Sequence, residues 1–364
     1  MKLSKFREVL KNHPDFGDAF VCHRYLPPRS PVYGPKLNLH GDIVETMEHL
    51  GLHRLYSHQV EAIEHLRSGE NVIVSTPTAS GKSLIYNITV LEKVLENKDA
   101  RALYIFPLKA LEQDQLKNLD VWLRGAKGAK ISAEIYDGDT PPYRRKKIRA
   151  EIPQILFTNP DMLHRGILAH YQGWEGLLKN LSFVVLDEVH TYRGIFGSHV
   201  NQLIRRLKRL CHCYGASPQF ILLSATMSNP KDFGESLIGE EVSVVQSAGS
   251  PRAGQHFLFL NPHTGTNFSA AKLFVACIQS GYRTIVFTQS RKVTELIHLW
   301  VSRLLPAFRE KISSYRAGFM PEERREIERK LATGNLLGVV STSALEMGID
   351  IGYLDICLLV GYPG

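Results

Sequence analysis

The chain has little that would place it in or across a membrane. Its 364 residues contain no apolar run of the ~18 residues that a bilayer span needs, and its first residues, MKLSKFREVLKNHP, have no apolar signal core. Cysteine is scarce: Cys22, Cys211, Cys213, Cys277 and Cys357 are odd in number and scattered. That pattern argues against a disulfide framework and for a reducing compartment, so the cytoplasm is the expected location. Cys211-His212-Cys213 is too tight for an ordinary zinc pair and no second pair follows, so it reads as a helix end. Internal repeats and low-complexity tracts are also missing. Charge of one sign is in modest excess: the net charge of +8 suits a polyanionic partner, although many proteins that never touch nucleic acid carry as much.

What is present is a globular composition, 44% hydrophobic and 22% charged, in a chain long enough for two domains. Short apolar runs alternate with amphipathic helical stretches: Ala102 to Phe106, Ile155 to Phe157, Phe183 to Leu186, Phe220 to Leu223, Thr284 to Phe287, Leu337 to Val340 and Ile356 to Val360. This is the pattern of an α/β protein whose parallel sheets are covered by helices on both faces. Prolines at 27, 28, 31 and 35 predict an N-terminal extension over residues 1–50 that runs along a surface. A first domain is expected over 51–246, a second over 256–364. The small-residue stretch QSAGSPRAGQ predicts a flexible linker over 247–255.

Thr76 to Ser83, TPTASGKS, has the residue types of a phosphate-cradling loop. Val72-Ile73-Val74 precedes it as a buried strand, and Leu84, Ile85, Ile88, Leu91 and Leu95 follow at helical spacing. Gly81 lets backbone N–H groups and the helix start approach an anion, Lys82 reaches outer phosphates, and the Ser83 hydroxyl can ligate Mg²⁺. Thr76, Thr78, Ala79 and Ser80 complete the loop. Thr76 stands where the general pattern has Gly, and a chance Gly-Lys-Ser turn is the competing reading. A second apolar strand, Phe183 to Leu186, ends in Asp187-Glu188, where ligands sit in open α/β sheets. Asp187 can hold Mg²⁺ and Glu188 can deprotonate an attacking water. Standing alone, such a pair is usually a solvated strand end; behind a phosphate loop it completes a nucleotide site.

With these two segments in place, the chain resembles the superfamily 2 helicases of the DEAD/DEAH class, whose further motifs follow in order. Tyr56 and Gln59 in LYSHQ look like the adenine-reading Q motif, FPLKAL (Phe106 to Leu111) like motif Ia and TNPDML (Thr158 to Leu163) like motif Ib. Ser224-Ala225-Thr226 resembles motif III, VFTQSR (Val286 to Arg291) motif IV and STSALEMGID (Ser341 to Asp350) motif V. Details such as YDGDT and SYRAG look more like the mitomycin-repair-factor branch and its fungal, RecQ-related counterparts.

The resemblance implies two RecA-like P-loop NTPase domains, the second incomplete at its C-terminus. It also implies an ATP- and Mg²⁺-dependent motor that moves along single-stranded DNA or RNA, 3′ to 5′ and in DNA repair if the branch holds. Lys82, Asp187 and Glu188 would be catalytic, and Gly348 and Asp350 would touch the nucleotide from the second domain. Lys109, Thr158, Asn159, Gln289, Ser290, Thr342 and Ser343 would grip the strand through its phosphates. His190, Ser224 and Thr226 would couple hydrolysis to that grip. Taken singly, many of these polar residues also suit helix caps. The basic run Arg144 to Arg149 predicts a helix with either a solvated face or a strand contact. Phe16, Phe20, Trp122, Trp174 and Trp300 suit core packing better than base stacking.

In this family the arginine that stabilises the transition state comes from motif VI, soon after motif V. No Arg follows Arg329. The expectation is therefore a helicase core weak in hydrolysis, with the arginine supplied by a missing C-terminal part. An RNA helicase, or a nucleotide-gated strand clamp without turnover, are the alternatives.

Overall fold

The computed structural model describes residues 3–125, 131–263, 265–316, 318–342, 345 and 352–361. They form two compact units: Pro28–Ala253, and a smaller unit made of Met1–Pro27 with Gly254–Gly364.

Strand β1 (Phe20–Leu26) comes first in the chain, and the larger unit supplies the next seven: β2 (Val72–Ser75), β3 (Arg101–Ile105), β4 (Ala133–Ile135), β5 (Ile155–Thr158), β6 (Leu181–Leu186), β7 (Gln219–Ser224) and β8 (Ser243–Val245). They pair in parallel in the order β4-β5-β3-β6-β7-β2-β8. The five inner strands, β5, β3, β6, β7 and β2, have near-continuous apolar runs because both their faces are covered. Alternate residues enter separate cores: Val72, Val74, Tyr104 and Phe157 pack with helices Ser57–Arg67 and Lys82–Glu96, while Ile73, Leu103, Leu156 and Val184 pack with helix Gly194–Cys213. Each such side chain is worth roughly 1.5–3 kcal/mol on burial. Register aligns the strand ends: Ser75 lies opposite Ser224, and Ile105 opposite both Thr158 and Leu186. All the loops that follow therefore leave from one edge.

The smaller unit contains β9 (Gln255–Leu260), β10 (Thr284–Phe287), β11 (Ile312–Tyr315), β12 (Gly338–Ser341) and β13 (Ile356–Leu359). The last four form a parallel sheet in the order β11-β12-β10-β13. β9 pairs instead with β1, antiparallel.

Residues 1–50, expected as one extension, are thus divided. Phe6, Leu10 and Phe16 are buried with Leu273, Cys277 and Tyr282, and the segment up to Pro27 belongs to the smaller unit. Proline content marks irregular backbone but says nothing about which core a preceding amphipathic helix, here Leu3–Lys11, will enter. The expected linker is also hydrogen-bonded rather than open. Gly249 accepts from the Val32 N–H at 2.8 Å, Arg252 pairs with Arg29, and β9 begins at Gln255. Its small residues serve close approach: a Cβ at Gly249 would lie 2.4 Å from the Val32 carbonyl oxygen.

Helix Gly194–Cys213 contains the Cys-His-Cys run, with Cys211 buried and Cys213 exposed, and no metal-binding cluster occurs among the described residues. The basic run lies on helix Pro142–Ala150, where Ile148 is buried and Arg145 donates to the carbonyls of Asp137 and Gly138. Phe16, Trp122 and Trp174 are core residues, Phe20 packs on the core of Phe6 and Phe16, and Trp300 meets Phe268 edge to face. No helix of the described residues is long and apolar enough to cross a membrane. Phe16→Ala is expected to lower the stability of the smaller unit by about 3–5 kcal/mol, seen as an earlier urea transition, while leaving the transition of the larger unit unchanged.

Candidate nucleotide site and strand-binding edge

The loop between β2 and helix Lys82–Glu96 is shaped by its neighbours. Ala79 and Gly81 have φ of 58° and 75°, a left-handed geometry that glycine adopts without cost. The first turn of helix Ser57–Arg67 holds two successive carbonyls: Gln59 Nε2 donates to Gly81 O at 2.8 Å, and His58 Nε2 lies 3.0 Å from Ser80 O. In a trans peptide the next N–H points opposite to the carbonyl, so these bonds turn the N–H groups of Gly81 and Lys82 the other way. Thr76 and Ser80 hydroxyls bond each other at 2.8 Å and are buried, while Pro77, Thr78 and Ala79 form an exposed rim. Lys82 opens the helix with Ser83 beside it, and its ammonium donates to the carbonyls of Thr76 (3.1 Å) and Pro77 (3.0 Å). Burial holds that ammonium below its ordinary pKa, while Glu188 and Asp187 pull it upward.

Gln59, expected to read adenine, is buried and spends its amide inside the protein: its carbonyl accepts from Tyr56 N–H at 2.8 Å while its nitrogen holds Gly81. Tyr56 stacks on Tyr33 with ring centroids 5.4 Å apart, and Arg54 lies over Tyr33. Tyr33 was hidden in the proline-rich segment, and no spacing rule links it to the loop.

β6 delivers Asp187 and Glu188 to the same edge. The Asp187 N–H extends the pairing with β3 by donating to Ile105 O at 3.1 Å. Asp187 Oδ1 accepts from the Glu188 N–H at 2.7 Å, which helps hold Glu188 at φ 49°, a sparsely populated conformation for a non-glycine residue. Burial and then the Glu188 charge push the Asp187 carboxyl up to about 7, against the pull of Lys82.

His190 Nδ1 lies 3.3 Å from Glu188 Oε2 and 3.4 Å from the Ala225 amide nitrogen. One ring nitrogen either donates to the carboxylate or accepts from the amide, not both at once. Ser224-Ala225-Thr226 is also tied to β2: Ser75 Oγ donates to Ala225 O at 3.2 Å and accepts from the Met227 N–H at 3.1 Å. Thr226 is exposed, Ser224 buried.

The expected strand residues differ in what they expose. Thr158 is buried with its hydroxyl donating to Tyr136 O at 2.8 Å. Asn159 caps the turn Pro160–Met162 by accepting from Met162 N–H at 3.0 Å, and its amide nitrogen donates to Glu112 Oε1 at 2.9 Å. Lys109 is half exposed and pairs with Asp139 at 2.6 Å. In the smaller unit, Gln289 and Ser290 follow β10 and are exposed; the Ser290 hydroxyl caps helix Arg291–Leu304. Thr342 follows β12. Ser343, Gly348 and Asp350 lie outside the described residues.

Glu112 was not expected in any role. It is buried on helix Lys109–Gly125, with Oε1 on Asn159 and Oε2 unpartnered, and burial pushes its carboxyl up to about 8. A Glu beside Leu111 in an amphipathic helix reads as a solvated position, so no sequence signal pointed to it.

Ser224 Oγ and Tyr192 Oη at this edge are also buried without a hydrogen-bond partner, and the buried Glu188 Oε2 faces only the His190 ring nitrogen, 3.3 Å away. Two carboxylates, a hydroxyl at a helix start and an ammonium are the donor set that suits a divalent cation with phosphate oxygens. A cleft of about 1000 Å³ lies elsewhere, at the N-terminal ends of β6 and β7 beside Arg67 and Lys179, and contains none of these groups.

Comparison with known proteins agrees with this geometry. The DEAD/DEAH box helicase profile matches residues 56–233, and the helicase conserved C-terminal domain profile matches 269–364. YprA of Bacillus subtilis, described as an uncharacterized ATP-dependent helicase, is 45% identical over all of this chain and half of its own length. The ATP-dependent helicase HRQ1 of Saccharomyces cerevisiae is 41% identical over 98% of this chain and 34% of its own. The crystal structure of the DUF1998 helicase MrfA bound to DNA and AMPPNP superposes with a TM-score of 0.94 at 41% identity, covering 100% of this chain and 52% of that one. The chain belongs to the DEAD/DEAH-box superfamily 2 helicases, in the branch that contains MrfA and HRQ1. It spans between a third and a half of the length of these relatives.

The buried Glu112 sets a pH dependence. Its carboxyl rises from an ordinary 4.5 to about 8 on folding, so the folded state increasingly resists ionisation as pH climbs through that window and stability is lost. Glu112→Gln removes this loss. Between pH 5 and pH 8.5 the variant is expected to gain about 2–4 kcal/mol relative to the parent in urea denaturation, and parallel stability profiles would show that Glu112 ionises freely.

Proposed function

We propose that this chain binds ATP and Mg²⁺ at Thr76–Ser83 and a single nucleic-acid strand along the neighbouring loops, and converts hydrolysis into movement along that strand. The observation that carries this reading is the convergence on one sheet edge of the phosphate loop, Asp187-Glu188 and Ser224-Ala225-Thr226, with His190 within reach of both of the latter. Lys82, freed from the Thr76 and Pro77 carbonyls, pairs with outer phosphates. Ser83 and Asp187 hold the cation, which supplies charge neutralisation on the phosphate oxygens. Glu188 orients and deprotonates the attacking water.

DNA is the favoured strand, supported by relatives whose structures are described as DNA-bound; movement 3′ to 5′ and a role in repair rest on the branch resemblance. Thr158 and Asn159 act through the backbone they position. Lys109, with Gln289, Ser290 and Thr342 of the smaller unit, contacts phosphates, which carry no base information. Ser343 at the strand, and Gly348 and Asp350 at the nucleotide, complete the proposed set.

The reading is tested by strand-stimulated ATPase. Glu188→Gln is expected to lower turnover about 10²–10⁴-fold with nucleotide binding retained, and Lys82→Ala to weaken binding itself; unchanged rates in both would overturn it. Competition between matched DNA and RNA oligonucleotides decides the strand, since only RNA offers the 2′-OH. Replacing Ser224 and Thr226 together by Ala is expected to leave ATPase within about threefold while abolishing unwinding, measured on a partial duplex.

A further inference from the structure

His58 is fully buried and touches two backbone segments far apart in sequence. Its Nδ1 lies 3.1 Å from the amide nitrogen of Gly249, and its Nε2 3.0 Å from the carbonyl oxygen of Ser80 in the phosphate loop. The amide can only donate and the carbonyl can only accept. One protonation state satisfies both: a neutral ring with its hydrogen on Nε2. A second proton would set an N–H against the Gly249 N–H. Burial lowers the ring's pKa in the same direction, with Lys82 and Arg29 adding to it and only the bond to Ser80 opposing.

The Gly249 end is built for contact. A side chain there would meet Val32 O at 2.4 Å and Ser57 Oγ at 2.5 Å. Gly249 O accepts from Val32 N–H at 2.8 Å, Val32 O accepts from Ser57 N–H at 2.9 Å, and Ser247 bonds Glu61 at 3.0 Å. These bonds lie a few residues before Gly254, where the chain passes into the smaller unit. The neighbouring Gln59 holds Gly81, so the helix turn that fixes the phosphate loop also fixes, through His58 alone of this pair, the segment leaving the larger unit.

We propose that His58 is a positioning residue that links the state of the phosphate loop to the exit segment Ser247–Ala253, so that nucleotide loading is passed to the chain entering the second unit. A loop that closes on phosphates shifts Ser80, and the rigid imidazole transfers that shift to Gly249. This rests on the ATP site proposed above.

Two substitutions separate the arms. In His58→Gln the side-chain amide nitrogen reaches the Nε2 position and keeps Ser80 while losing Gly249. In His58→Asn the side-chain oxygen takes the Nδ1 position and keeps Gly249 while losing Ser80. Amide hydrogen exchange of residues 247–253 is measured with and without AMPPNP, beside AMPPNP affinity and AMPPNP-dependent binding of a labelled single-stranded oligonucleotide. The parent is expected to show at least tenfold slower exchange with AMPPNP. His58→Gln is expected to bind AMPPNP within about twofold of the parent but to lose that response and the nucleotide-dependent change in strand affinity. His58→Asn is expected to bind AMPPNP at least tenfold more weakly. A His58→Gln variant that keeps the exchange response overturns the link. If the parent binds AMPPNP but shows no response in 247–253, the link fails and the ATP site stands; if the parent binds no AMPPNP, both fail.

Discussion

A parallel sheet must end all of its strands on one edge, and the backbone that leaves that edge has to be satisfied locally. A buried N–H or C=O left without a partner costs about 1–3 kcal/mol. In the larger unit the polar groups that meet this demand shape the loops on which the site is built. Ser75 satisfies Ala225 and Met227, His58 and Gln59 satisfy Ser80 and Gly81, and Asp187 satisfies Glu188. Loop geometry and chemistry therefore cannot be varied independently. A change that frees Ser75 moves the Ser-Ala-Thr turn before it touches any ligand.

The same edge concentrates charge in a poorly solvated place. Asp187 and Glu188 are adjacent, Lys82 acts on both electrostatically, and Tyr192 feels Asp187, Glu112 and Glu188 together. Burial first, and then the neighbouring Glu188 charge that the single Lys82 ammonium does not offset, raise the Asp187 carboxyl to about 7. A divalent cation is the kind of group that reverses such a balance, because it favours the ionised form of every carboxylate it meets. The left-handed backbone of Glu188 adds a local cost of order 1–3 kcal/mol. Such costs persist where the surrounding sheet over-determines the geometry, as the flanking apolar strands do here.

Strand, loop and helix around Thr76–Ser83 were legible because each is a local pattern: a doubly buried strand, a glycine that must go left-handed, and an apolar stripe at helical spacing. Asp187-Glu188 was legible for the same reason. The partners of Gln59 were not, since its contact to Gly81 depends on how a separate helix docks. Glu112 and His58 were missed because a Glu in a helix and a His beside a Gln have the same local appearance whether exposed or buried. The place of residues 1–27 was hidden for a different reason: antiparallel pairing of β1 with β9 joins segments more than two hundred residues apart, and nothing in either strand names the other.

Burial also separates direct from indirect roles among the expected strand contacts. Thr158 and Asn159 match a strand-binding motif, yet the Thr158 hydroxyl points to Tyr136 and both ends of the Asn159 amide are spent, on Met162 and Glu112. Under the proposed function their contribution is to hold the turn at Pro160–Met162 and the neighbouring loop in place. Direct contact on this unit falls to exposed groups, of which Lys109 is the most suitable. Its ammonium is paired with the exposed Asp139, whose loop is braced by Asp137 through Thr140 and by Arg145. An exposed pair is worth only ~0–1 kcal/mol, so a strand phosphate can replace Asp139 at little cost. Under the proposed function, so weak an exposed pair leaves Lys109 available to a strand that engages and releases repeatedly.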